Sequence, residues 1–243
     1  MRFALIASSI AFFIAGCGPA PTRPEEPEDF EHKPPPDDPK RNVNDFAVEG
    51  LMGRISEFAV QSVIETHMAG INNCFKQVGG SYVSGEVQLS FEVGTDGRVK
   101  TVFVSQSSLG AFPVEDCLVQ TTRFLEFPPP EGGPARFIYP FSWNEPGRRL
   151  SQPVEVSWGY ATMRKHRDAL RQCRTRHTFE GPFHVTLYAG ARGRVLSAGF
   201  HTNLPPGDRF PACVYETLST MAFPDPGAAI YKYSILVEDL PDT

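Results

Sequence analysis

The residues with the widest chemical scope in this chain are four cysteines and two histidines. His67 and Cys74 stand seven residues apart in HMAGINNCF (67–75), and His166 and Cys173 repeat that spacing. Seven residues is close to two helical turns, so each pair shares one face of a helix. A thiol beside an imidazole could be an activated nucleophile. It could be a metal ligand, or it could close a disulfide. Catalysis would need an exposed thiolate next to a base. Zinc would need four ligands, and only His67, Cys74 and Cys117 can be named in the first set. A histidine in an apolar helical stripe is more often a packed residue. No hydrolase elbow, phosphate loop or paired-carboxylate pattern stands out, and the isolated Ser and His residues form no convincing set. The chain reads as a non-enzyme with no catalytic residue, no metal and no cofactor. What the thiols do depends on the compartment.

The N-terminus reads MRFALIASSIAFFIAGC. Arg2 precedes an apolar run from Ala4 to Ile14, too short to span a bilayer as a mature helix. This is the pattern of a secretory signal, expected over 1–16 and excluded from fold reasoning. Ile14-Ala15-Gly16-Cys17 resembles the lipobox of bacterial lipoproteins. The resemblance implies cleavage before Cys17, lipid on Cys17, and a stable membrane anchor, since several acyl chains share one residue. Gly18 in place of Asp points to the periplasmic face of the outer membrane. The mature chain then sits in an oxidising compartment, and Cys74, Cys117, Cys173 and Cys213 are an even set able to pair completely.

Residues 17–48 carry eight prolines among Glu and Asp and few apolar residues. Such a composition cannot drive collapse, and it reads as a disordered tether with a reach on the order of 90 Å. The formal net charge of −5 comes largely from this stretch, and no strongly basic domain argues for nucleic acid.

The remainder repeats itself. VGTDGRV (93–99) matches AGARGRV (189–195), Cys117 matches Cys213, and FPPP (127–130) matches FPDP (223–226), all at a spacing of 96. Upstream the spacing is 99, pairing His67, Ile71 and Cys74 with His166, Leu170 and Cys173. The markers keep one order, so two copies of one domain are expected, over 49–146 and 152–243. In the first, Val60, Ile64, His67, Ile71 and Cys74 recur at helical spacing, which predicts a helix over 57–77 with Ser56 as its cap. Val87, Leu89, Phe91 and Val93 alternate with polar residues as in a half-buried strand. Gly94-Thr95-Asp96-Gly97 turns into a second strand. Pro113 opens a second helix, FPPP stops it, and Phe137, Tyr139, Phe141 and Trp143 alternate in a third strand. The second copy parses likewise, although basic residues from Arg164 to Arg176 crowd its first helix. Each copy should be an αββαβ unit, a three-stranded antiparallel sheet with two helices, in an α+β fold. Cys74 and Cys117 lie on apolar helix faces within one copy, so the expected bridges are Cys74–Cys117 and Cys173–Cys213.

This element order resembles the periplasmic C-terminal domain of TonB. His-x-x-x-Ile-x-x-Cys, the Gly-Arg-Val turn, the second-helix Cys and Phe-Pro-Pro-Pro before Tyr-Pro-Phe resemble more closely the AgmX/PglI C-terminal type. The second copy departs from that pattern, with Ala191-Arg192 for Thr95-Asp96 and Ser234-Ile235 for Pro140-Phe141. The resemblance implies a cell-envelope setting, an envelope protein as partner and a place in a motility or transport complex. It implies no reaction. A structural lipoprotein contacting peptidoglycan through the basic helix is the alternative. A TonB-like energy transducer is disfavoured, because the chain offers a lipid anchor in place of an inner-membrane helix. Helical crossovers put strand one in the centre of each sheet and leave strand three as an edge. An edge can accept an extended peptide, as TonB does. Pro140 blunts that edge in the first copy. Tyr231-Lys232-Tyr233-Ser234-Ile235 is therefore the expected strand-accepting edge.

Overall fold

A computed structural model describes residues 53–78, 80–144 and 150–238. The signal segment 1–16, the lipidation site Cys17 and the tether 17–48 lie outside the described residues. Over the described residues the fold is mixed α+β, with six α-helices and two sheets of three and four strands. The first half runs α1 (Glu57–Thr66), α2 (Met68–Phe75), β1 (Gly85–Val93), β2 (Val99–Ser107), α3 (Phe112–Thr122) and β3 (Ala135–Trp143). The second half runs β4 (Gln152–Pro153), α4 (Val156–Lys165), α5 (Arg167–His177), β5 (Phe183–Ala189), β6 (Val195–His201), α6 (Phe210–Ser219) and β7 (Tyr231–Val237).

The repeat is visible in the order of elements, with two corrections. The single first helix expected over 57–77 is two helices, broken at His67, and the second half breaks at the equivalent His166. Both histidines leave helical geometry, with φ near −102° and −109°. Their backbone N–H groups turn back to carbonyls of the preceding helix while their own carbonyls start the next. The second correction is the extra strand β4, which makes the second sheet four-stranded. Ser56 caps α1 as expected, its Oγ accepting from the Ala59 N–H at 3.2 Å.

In the first sheet the order is β2-β1-β3, all antiparallel. Val87, Leu89, Phe91 and Val93 bury their inward faces completely among Ile64, Ile71, Leu118 and Phe137. The second sheet, β4-β7-β5-β6, buries Phe183, Val185, Leu187 and Ala189 the same way. The central position of β1 and β5 follows from the handedness of the helical crossovers.

The most persistent markers of the repeat hold one another. Gly97 adopts φ +80° in the turn after β1, and its carbonyl accepts from the Phe127 N–H at 2.8 Å. Gly193 has φ +69° and bonds the Phe223 N–H at the same distance. A Cβ on either glycine would strike the carbonyl oxygen of that phenylalanine. Left-handed backbone and close approach both demand glycine there, which is why the Gly-Arg-Val and Phe-Pro motifs travel together. Gly97→Ala should therefore lower the unfolding free energy by about 2 kcal/mol or more, from backbone strain plus displacement of Phe127. Urea denaturation of the variant against the parent chain checks this.

Candidate functional site

The structure pairs the four cysteines as expected. Cys74 and Cys117 are at disulfide-bonding distance, with Cα atoms 5.5 Å apart, and so are Cys173 and Cys213, at 5.8 Å. Each bridge ties the second helix of a half to the third, and each has a threonine hydroxyl beside it, Thr121 and Thr217, 3.5 Å from Cys74 and Cys173. His67 is not a packed residue: it is exposed at the helix break, with Nδ1 2.9 Å from the Val63 carbonyl. Among the described residues no group of three or more His, Cys, Asp or Glu is arranged to hold a metal.

The two third strands differ, and in the direction opposite to expectation. β7 is not an open edge at its start. β4 pairs with it in parallel at Gln152↔Tyr231 and Pro153↔Lys232. The outward carbonyl of Ile230 accepts from the Gln152 N–H at 2.8 Å, and that of Leu236 from the Tyr160 hydroxyl at 3.1 Å. Of the expected edge, Tyr231 and Lys232 are thus paired, Tyr233 and Ile235 are buried, and Ser234 alone is exposed. Gly159, lacking a side chain, lets α4 lie directly on Tyr233 and Ile235. The residue at the equivalent place in the first half is Val60. There α1 stands off β3, and a groove of about 370 Å3 opens between them. Ile55, Val60, Phe137, Ile138 and Tyr139 line it. Ile138 is 46% exposed, and Phe58, on the same helix as Val60, is 82% exposed. No described strand pairs with the outer side of β3. Pro140 fits this edge because a strand proline is tolerated where its missing N–H would have faced outward.

The seam between the two halves was not legible in the residues alone. The open face of the second sheet is covered: Thr186 and Tyr188 are buried, and Tyr188 belongs to the first half's core. The Tyr188 hydroxyl donates to the Ser84 carbonyl at 3.1 Å, and Lys232 Nζ to the same oxygen at 3.0 Å. Thr186 Oγ1 donates to the Ser107 carbonyl and Ser197 Oγ to that of Gly110. The Thr202 N–H reaches the Val104 carbonyl at 3.2 Å, one rung from the second half onto the edge of β2. At the centre is Glu115, 1% exposed. Its carboxylate accepts from Ser107 Oγ at 2.6 Å and from the Phe200 N–H at 2.9 Å. No described cation pairs with it, so desolvation pushes its pKa up despite the hydrogen bonds. Nearby His184 and His201 stack with ring centroids 4.6 Å apart. Burial, then the neighbouring imidazole, lower His201 to about 4, so the pair is neutral at neutral pH.

Beside the seam lies a cleft of about 490 Å3 between β2, α3 and the segment 205–211. Val102, Phe103, Val119 and Phe124 make its apolar side and Asp116 and Gln120 its polar side, and the Arg123–Asp208 ion pair at 2.7 Å crosses between the halves. The basic helix α5 is partly engaged internally. Arg174 donates to the Val237 carbonyl at 3.0 Å and lies over the Phe183 ring.

This arrangement defines the class: a disulfide-bridged α+β repeat that offers strand edges and apolar grooves. No family model, curated protein or solved structure matches the chain. Among the described residues, no helix is long and apolar enough to cross a membrane.

Proposed function

We propose that this chain is a non-enzymatic cell-envelope lipoprotein, anchored through Cys17 on the periplasmic face of the outer membrane. Its two halves act as tandem TonB C-terminal-like domains that hold a partner protein of the envelope. The paired cysteines support an oxidising compartment. The observation that carries the binding role is the outer side of β3, an open strand edge beside the groove under α1. An extended segment of the partner adds to β3, its main chain bonding the edge and its apolar side chains entering the groove. The acceptor edge thus lies in the first half rather than the second.

Ile138→Pro tests it. Position 138 has the same orientation along β3 as Pro140, so the substitution removes an outward N–H and leaves the ladder to β1 intact. A folded Ile138→Pro chain should lose at least tenfold of the envelope protein captured from membrane extracts by the parent. Full capture by the folded variant overturns the edge. Sedimentation with purified sacculi in place of extract, unaffected by Ile138→Pro, would favour peptidoglycan as the partner.

A further inference from the structure

We infer that the cleft beside the seam is a second peptide-accepting site, built on the edge of β2 and specific for an extended, uncharged apolar segment of a partner protein. β2 is the other edge of the first sheet, and among the described residues one backbone–backbone bond joins its outer side to the second half, Thr202 N–H to Val104 carbonyl, with Thr186 Oγ1 bonding the Ser107 carbonyl at the strand's end. That rung shows that the backbone groups of Val104 face outward. Residues on one strand two apart share orientation, so those of Val102 face the same way, into the cleft. After Thr202 the chain leaves β2, and Pro205 and Pro206 carry it along the opposite wall. The ladder begun at the seam therefore stops one step short of an open stretch of strand. An incoming segment continues an interface that the fold has already started.

The walls choose the occupant. Phe103, Val119 and Phe124 face the cleft with Pro205 and Pro211, and Phe124 is 80% exposed although it is aromatic. Both cations at the rim are paired, Arg123 with Asp208 at 2.7 Å and Lys100 with Asp96 at 2.9 Å, while the half-buried Asp116 receives the Gln120 amide at 3.4 Å. Glu115, on the inner side, is committed to Ser107 and Phe200. An acidic peptide would face Asp116, and a basic one would find only that single carboxylate while losing its hydration against the rings. An alternating apolar strand loses little and covers Phe124. Because the site joins both halves, it exists only while the seam is closed. The site is independent of the β3 edge, which lies on the opposite side of the sheet.

The test is selection of a phage-displayed library of random seven-residue peptides against the full chain. Selected peptides are synthesised and their Kd measured on the parent, Phe124→Asp, Phe124→Leu and Ile138→Pro chains. Phe124 is exposed, so its replacement leaves the core untouched. Peptides with an uncharged apolar centre should bind the parent, weaken at least tenfold on Phe124→Asp, recover on Phe124→Leu and ignore Ile138→Pro. Peptides that weaken on Ile138→Pro alone would support the β3 edge and overturn the cleft. Enrichment of charged sequences, or no enrichment, overturns it as well.

Discussion

A chain lacking the Cys74–Cys117 bridge should lose about 4 kcal/mol of stability in its first half. The estimate follows from the loop: 43 residues separate the cysteines, and closing a loop of that length removes roughly this much chain entropy from the unfolded state. The second bridge spans 40 residues and carries a similar share. Small α+β units have thin cores, so 4 kcal/mol is on the order of half of a typical stability. The variant to use is Cys74→Ala with Cys117→Ala, which leaves no lone thiol to form wrong pairs. Guanidinium denaturation should show a lower midpoint, and full reduction of both bridges should leave the chain largely unfolded at 37 °C. A double-alanine variant with an unchanged midpoint would refute the bridge as a stabilising element.

Removing the Glu115 side chain should have a comparable effect, reached by a different route. Glu115→Ala leaves the Phe200 N–H and the Ser107 hydroxyl without their shared acceptor inside the seam. Each unsatisfied buried donor costs about 1–3 kcal/mol, so a loss of about 2–6 kcal/mol is expected for the two. The halves should separate first, seen as faster amide exchange at Phe200 and Thr202 before either core opens. Glu115→Gln is the informative companion. Its amide oxygen accepts from Phe200, and Ser107 turns to accept from the amide nitrogen, so the seam should survive.

The parent and Glu115→Gln also separate in pH. The folded pKa of Glu115 is raised above its ordinary 4.5 by burial. The folded chain therefore holds this proton where the unfolded chain has lost it, and stability falls as pH rises from 4.5 through the folded value. His201 works in the opposite sense. Its folded pKa of about 4 lies below the ordinary 6.5, so its contribution is lost as pH falls from 6.5 through 4. Subtracting the Glu115→Gln curve from the parent curve cancels His201 and isolates the carboxyl. A flat difference would show that Glu115 titrates normally and that the seam is wet.

The elements and their order were legible in the residues themselves, because each rests on local pattern. Alternation of Val87, Leu89, Phe91 and Val93 specifies a strand whichever way the rest of the chain folds. The repeat added a check that a single unit would lack, and it placed both cysteine pairs. The helix breaks at His67 and His166 are not legible in the sequence because no proline or glycine marks them. The interrupted edge on β7 escaped because β4 is two residues long and Gly159 looks like any helix glycine.

The seam was decided by tertiary structure alone. Several of its residues are those where the second copy departs from the first: Glu115 has Pro211 opposite it in the repeat, Tyr188 has Glu92, and Gly199, where a side chain would strike the Glu115 carboxylate, has Phe103. These positions lie on helices as well as strands, and no periodicity within one copy marks them as an interface. The chain by itself determined what each copy would become, since a copy's core is made of contacts within it. Which open face would be covered, and which edge left free, depended on how two nearly equivalent surfaces meet. Periodicity within a copy carries no information about that choice, because the hydrogen bonds that settle it join residues about 80–150 positions apart.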